Sequence, residues 1–298
     1  MYKSDPVSGR FFQADMRLLA GWRRDDFDWN IASDISGDAT PNILSELTWS
    51  DLKMTQLKLE SDVFIDNHFV FTGMLAYADI YEGDNQDSDY SGNDRTLEFS
   101  RSNNDSGDGD AMDWSLGAGY KLYLGSDEDL LVADDMWLTL LGGYSYHELN
   151  LIITEGVQTI PDTGPFGPTL HTSYWAEWDG PWLGFQLEGS IDKIFGTFRF
   201  EYHWADYYGS ANWNLRNDFQ HPKSFEHIAD GRGLVFNLGA GYEVTDSLTL
   251  NLRADIQDWE ATDGIDRTFF ASGTTTEIRF NEVNWKSKAL MLGSTYHF

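Results

Sequence analysis

From Ser247 to Gln257 the chain alternates apolar and polar residues one for one. Leu248, Leu250, Leu252, Ala254 and Ile256 share one phase, and Thr249, Asn251, Arg253, Asp255 and Gln257 share the other. A period of two is the signature of a strand, because successive side chains point to opposite faces of a sheet. The alternation recurs along the whole sequence and predicts ten strands, at about 12–30, 47–65, 69–82, 112–124, 135–153, 173–190, 196–208, 233–244, 247–257 and 276–298. In the first, Ala14, Met16, Leu18, Ala20 and Trp22 are in phase, and in the last Leu290, Leu292, Tyr296 and the terminal Phe298. One apolar and one polar face on every strand predicts a barrel that is greasy outside and wet inside, an all-β, ten-stranded antiparallel transmembrane β-barrel.

The connections support this reading. Short turns at 66–68, 125–129, 192–195 and 245–246 alternate with long polar loops at 31–46, 83–111, 155–172, 209–232 and 258–275. Short turns on one rim and long loops on the other are the layout of bacterial outer-membrane barrels. An even strand number places both termini on the periplasmic side and the loops outside the cell. No internal repeat beyond the hairpin period breaks the chain, so residues 1–298 are expected to form a single domain. Several strands exceed the roughly ten residues that cross lipid, so the barrel should stand proud of the membrane on the loop side.

Composition refines the picture in a few places. The chain carries 49 acidic against 20 basic residues, a formal charge of −29. Its mean hydropathy is −0.44, which for a barrel does not argue solubility, since only alternate residues meet lipid. No apolar run of about 18 residues is present to form a transmembrane helix. Aromatic residues make up 15%, with 12 Trp and 14 Tyr, as expected of girdles at two membrane interfaces. There is no cysteine, which excludes disulfides, thiolate metal sites and cysteine nucleophiles. The opening residues Met1 to Asp5 lack a charged-then-apolar leader and read as the start of a mature chain with a methionine added. Nothing basic suggests nucleic-acid binding. Nucleotide, Gly-x-Ser-x-Gly and zinc-protease motifs are absent. A porin role is disfavoured, because inward Lys121, Arg199, Glu201, Arg253 and Asp255 would fill a ten-stranded lumen.

Candidate chemistry concentrates in the acidic stretch 83–113, expected as a solvated loop. Asp87 and Asp89 would point the same way on an extended segment, two carboxylates able to share a proton and hold a water between them. Asp105, Asp108, Asp110 and Asp113 on a glycine-rich run offer hard oxygen ligands for Ca2+ or Mg2+, though not at EF-hand spacing. No cofactor is otherwise implied.

The chain resembles the omptins, ten-stranded outer-membrane proteases of Gram-negative bacteria. The resemblance rests on Ser45-Glu-Leu-Thr-Trp49, on Asp87-Ser-Asp-Tyr90, on Pro181-Trp-Leu-Gly184, on the Val244-Thr-Asp turn and on the closing Tyr296-His-Phe298. It implies a water activated between two aspartates, matching Asp87 and Asp89, and an Asp–His pair across a groove. The position of that Asp-x-His reads Asn212-Trp-Asn214, and asparagine is no general base. Asp218 with His221, or His203 with Asp206, could replace the pair if the half-site is rearranged. The resemblance further places Asp25 as an acidic substrate subsite and Asn212 and Asn214 on the groove wall. It puts Tyr144, Glu148, Glu177 and Asp179 on the outer wall, where omptins hold lipopolysaccharide phosphates with basic residues. Carboxylates there would need a bridging divalent cation. The expectation is therefore a monomeric outer-membrane barrel of omptin type. Its acidic extracellular groove would bind cationic peptides, metal ions or a basic protein partner without proteolysis. An endopeptidase cleaving near basic residues is the alternative.

Overall fold

The computed structural model describes residues 12–125 and 135–298. The opening residues and most of the turn expected at 125–129 lie outside the described residues. The described chain is all β. Its strands are β1 (Phe12–Ile31), β2 (Ser45–Ile65), β3 (Phe69–Tyr90), β4 (Glu98–Gly125), β5 (Asp135–Ile160), β6 (Asp162–Pro165), β7 (Thr172–Ile191), β8 (Ile194–Asn212), β9 (Phe225–Thr245), β10 (Leu248–Phe269) and β11 (Thr275–His297). β6 is a four-residue spur on the end of β5. The other ten strands pair antiparallel with their sequence neighbours, and β1–β11 and β4–β5 complete the ring. Closure removes the edge strands and gives the backbone groups partners within the wall, as a bilayer demands.

All ten expected strands are present, and most are longer than their sequence pattern indicates. β3 and β4 continue to Tyr90 and back from Glu98, so the stretch expected as a loop at 83–111 is mostly wall, with only residues 91–97 at its tip. β9 and β10 likewise extend into the loops expected at 209–232 and 258–275. The hairpin at 66–68 is as expected: Asp66 and Asn67 take positive φ of 51° and 58°, which short polar side chains tolerate.

The longer strands reveal a reversal of polarity. In the lower half the outward face is apolar: Met16, Leu18 and Trp22 on β1, Phe69, Phe71, Leu75 and Tyr77 on β3, and Leu250, Leu252 and Ile256 on β10 are all exposed. Their inward neighbours are charged or polar, including Arg17, Lys58, Glu60 and Arg253. Above the Trp22 level, greasy outside and wet inside no longer holds. Here the apolar side chains point in: Phe27, Trp29, Leu47, Trp49, Leu151, Tyr174, Trp178, Tyr207 and Phe280 form a buried cluster, while Asp26, Asp28, Asp258 and Glu260 face out. The cause is the surroundings. The lower wall meets lipid and the upper wall meets water, so apolar area is hidden inward in the crown and outward in the membrane.

Some strands also change phase at this height. On β3 the inward residues are Val70, Ala76, Ala78 and Ile80 below, and Asn85 and Asp87 above. Even numbers give way to odd ones at an irregularity where the β2 register shifts between Ser50 and Met54. Gly83 sits there because a Cβ would come within 2.6 Å of Leu52 and 2.8 Å of the Ser106 carbonyl oxygen. The lower band makes one prediction. Leu18→Arg puts a charge at mid-height on the lipid face and should cost ~2–4 kcal/mol in denaturant unfolding from lipid vesicles. An unchanged midpoint would place lipid elsewhere.

Candidate functional site

At the mouth, β3 carries Asp87 and Asp89 on its inner face. Asp87 stands opposite Leu47 of β2, itself in the apolar cluster, and opposite Ser102 of β4. Both carboxylates lie well above Tyr81, the last lipid-level aromatic on the strand, by roughly 20 Å of backbone in the case of Asp87. Among the described residues neither forms an ion pair. Burial, and then the negative charge of Asp89, push the Asp87 carboxyl up to about 8. Burial also raises Asp89, against hydrogen bonds from Ser45 and Ser100. Burial thus favours the protonated form of Asp87 at neutral pH.

The positive field that reaches both acids comes from Arg216, in the 213–224 connection between β8 and β9 on the far side of the ring. Arg216 was not singled out from sequence, although it and Lys223 are the only cations in that stretch. Its guanidinium donates to both oxygens of Asp218 at 2.9 and 2.8 Å and lies over the Phe219 ring at 4.3 Å. That contact holds Asp218 down at about 2.

The residues at the Asp-x-His position are engaged otherwise. Asn212 meets His221, with Oδ1 2.7 Å from the ring Nδ1, and His221 Nε2 lies 3.2 Å from the Arg216 carbonyl oxygen. Asn214 is a clasp. Its Oδ1 accepts from the His171 backbone N–H at 3.0 Å and the Thr172 hydroxyl at 3.1 Å, and its amide donates to the Thr169 carbonyl at 2.6 Å. These bonds fasten the 166–171 segment to the rim, where Leu170 packs on the apolar cluster beside Trp213.

Two proposed partnerships are not brought together, and one subsite residue lies elsewhere. Asp218 turns to Arg216 rather than to His221. His203 and Asp206 are three apart on one strand and fall on opposite faces. His203 is buried inward, where Glu201 Oε2 lies 3.0 Å from Nε2 and the Ser145 hydroxyl 2.9 Å from Nδ1, while Asp206 is exposed outward. Asp25 is no groove residue. It is fully buried two layers below the rim, receiving the Arg23 guanidinium at 2.7 Å and the Trp285 indole N–H at 2.9 Å.

The four aspartates weighed for Ca2+ or Mg2+ also diverge. Asp113 points inward to Arg23 and His147, both within 2.8 Å, whereas Asp105 and Asp108 are exposed and accept hydrogen bonds from Gly107 and Gly109. Among the described residues no group of three or more acidic or histidine side chains could hold a metal ion. Tyr144, Glu148, Glu177 and Asp179 do face outward just above the lipid-level Leu116 and Leu183. The hydroxyls of Tyr144 and Tyr146 donate to Asp179 and Glu148.

Beneath the mouth lies a constellation with no clear sequence signal. His227 is fully buried, with Tyr174 Oη 2.7 Å from Nδ1 and Asp266 Oδ2 2.9 Å from Nε2, and Tyr174 shares a 2.7 Å hydrogen bond with Tyr207. Gly209 makes room for both phenols, since a Cβ there would meet the Tyr174 Oη at 2.3 Å. Asp266 faces inward only because β10 shifts register between Thr262 and Ile265.

A family model for the Protochlamydia outer membrane protein, Pom, matches residues 17–298. The chain belongs to the Pom family. No curated protein matches the sequence. Among solved structures, this Pom-family barrel is similar to the outer membrane protease OmpT from Escherichia coli, at 12% identity and a TM-score of 0.79, covering 96% of this chain and 97% of that one. It is matched more loosely by the translocator domain of the autotransporter NalP from Neisseria meningitidis, at 12% identity and a TM-score of 0.38, over 95% and 88% of the two chains. OprG from Pseudomonas aeruginosa matches at 12% identity and a TM-score of 0.34, over 95% of each. The first of these shows an omptin-like fold. Together with the family, it places this barrel in the outer membrane.

The buried placement of Asp25 sets a test. Asp25→Ala should destabilise the barrel by ~3–5 kcal/mol, because Arg23 loses a buried partner. A variant of unchanged denaturation midpoint but altered peptide binding would return Asp25 to the groove.

Proposed function

We propose that this Pom-family barrel is a non-proteolytic surface receptor whose mouth binds a cationic peptide segment. The observation that carries the reading is the Asp87–Asp89 pair: two inward carboxyls, the charge of one raising the other, with no ion-pair partner among the described residues. A guanidinium or ammonium group entering there displaces the proton that burial favours on Asp87 and supplies the missing counter-charge. Arg216 does not compete fully for this role, since Asp218 already engages it. The formal charge of −29 adds long-range attraction for basic ligands.

The second half of a hydrolytic site lacks support. Asn214 is committed to the 169–172 backbone, Asn212 to His221, and His203 lies deep in the barrel. The alternative, an omptin-like endopeptidase, draws on the raised Asp87 carboxyl, which could serve to activate a water. On the outer wall, Glu148, Glu177 and Asp179 would meet lipopolysaccharide phosphates through a divalent cation rather than directly. We take the barrel as a monomer, complete in one ring.

A peptide bearing adjacent arginines, titrated against the refolded barrel in detergent with lipopolysaccharide, tests both readings. Binding should weaken at least tenfold in the Asp87→Asn, Asp89→Asn double variant and fall steeply with added salt. It should strengthen as pH rises through about 8, because the deprotonated pair is the form that binds a cation. Salt- and pH-independent binding would overturn the receptor reading. Cleavage of a quenched fluorescent form of the same peptide, abolished by Asp87→Ala, would establish the protease instead.

A further inference from the structure

Below the crown, three tryptophans floor the apolar cluster. Their indole N–H groups point down into the polar half: Trp182 donates to the Ser115 hydroxyl at 3.0 Å, Trp259 to Gln257 Oε1 at 3.0 Å and Trp285 to Asp25 at 2.9 Å. Directly beneath lies a cavity of about 40 Å3, lined by Ser115 and Gln257 and by His147 and His203. His147 is 3% exposed. Its Nδ1 is 2.8 Å from Asp113, but its Nε2 has no hydrogen-bond partner among the described residues. A buried ring nitrogen without a partner is destabilising, whichever tautomer it adopts.

The charges around the cavity decide what fits it. Arg17, Lys58, Arg199 and Arg253 line the cavity. Glu60 takes Arg17 at 2.5 Å, Lys58 at 3.1 Å and Arg253 at 3.4 Å; Asp255 takes Lys58 at 2.7 Å and Arg253 at 2.9 Å; Glu201 takes Arg199 at 2.5 Å. Glu60, Glu201 and Asp62 are the carboxylates on the lining, and Asp62 lies within the fields of Arg17 and Arg199. Four lining cations meet these three carboxylates and Asp255, which pairs with Lys58 and Arg253 from off the lining, so an ion of either sign would unbalance the chamber. A neutral ligand that both donates and accepts satisfies it.

We propose that this chamber is a built hydration site, holding about three waters, one of which is hydrogen-bonded to His147 Nε2. The volume suits that number, at roughly 10–15 Å3 for each water centre, and the polar lining offers each the two to four partners it needs. A smaller cavity of about 10 Å3 shares Arg17 and Arg253 with the chamber and extends towards Phe195 near the periplasmic turns. The tryptophan floor closes the chamber from above.

A crystal structure of the refolded barrel, at a resolution that shows ordered water, tests the proposal. The expected result is a water within about 3.2 Å of His147 Nε2 and further waters in contact with it. Two parallel soaks extend the test. Xenon under pressure should stay out of a hydrated polar chamber, and bromide should not enter a charge-balanced one. A protein atom on Nε2, xenon in the chamber, or a bromide site there would each overturn it.

Discussion

A strand in hydrocarbon cannot leave an N–H or a C=O unpaired, and the β4–β5 and β1–β11 ladders that complete the ring are what meet this demand here. Everything else is arranged around a wall that must be continuous. Because the same ten strands run on past the lipid, one continuous wall meets two solvents. Its side-chain pattern has to serve both. The result is a barrel with two opposite interiors: a lower one of paired charges, and an upper one of aromatic rings where Trp29, Trp49 and Trp178 bury their indole nitrogens without a partner.

The boundary between these interiors also fixes the chemistry. Titratable groups below the tryptophan floor are consumed in ion pairs and hydrogen bonds, as Asp25 and His203 are. Above it, burial in an aromatic setting raises the cost of charge, and that is where Asp87 and Asp89 sit. The raised Asp87 carboxyl is a property of this setting, burial first and the Asp89 charge second.

Much of the fold was legible in the sequence. The alternation in 247–257 and 196–208 gave the strand type, the face and the lower ends, and the even spacing of short turns gave the ring. The upper ends were not legible. A crown strand such as 98–111, rich in Asp, Asn, Gly and Ser, has the composition of a loop, and only its ladders to β3 and β5 make it a strand. The pair Asp87 and Asp89 could be read as facing one way. That they face inward depends on the phase change near Gly83, which no local pattern announces. The same holds for Asp266, which an irregularity in β10 turns toward His227. His147 was overlooked for a different reason: its only chain-adjacent clue is a place in an alternating run, and its partner Asp113 belongs to another strand.

The aromatic upper interior has a consequence for the bore. Phe27, Trp49, Trp178, Tyr207 and Phe280 close the bore above the membrane with side chains at interior density. Among the described residues, a solute following the barrel axis would have to part these rings. A wall that crosses lipid as a barrel is thus finished above the lipid as an ordinary buried protein core.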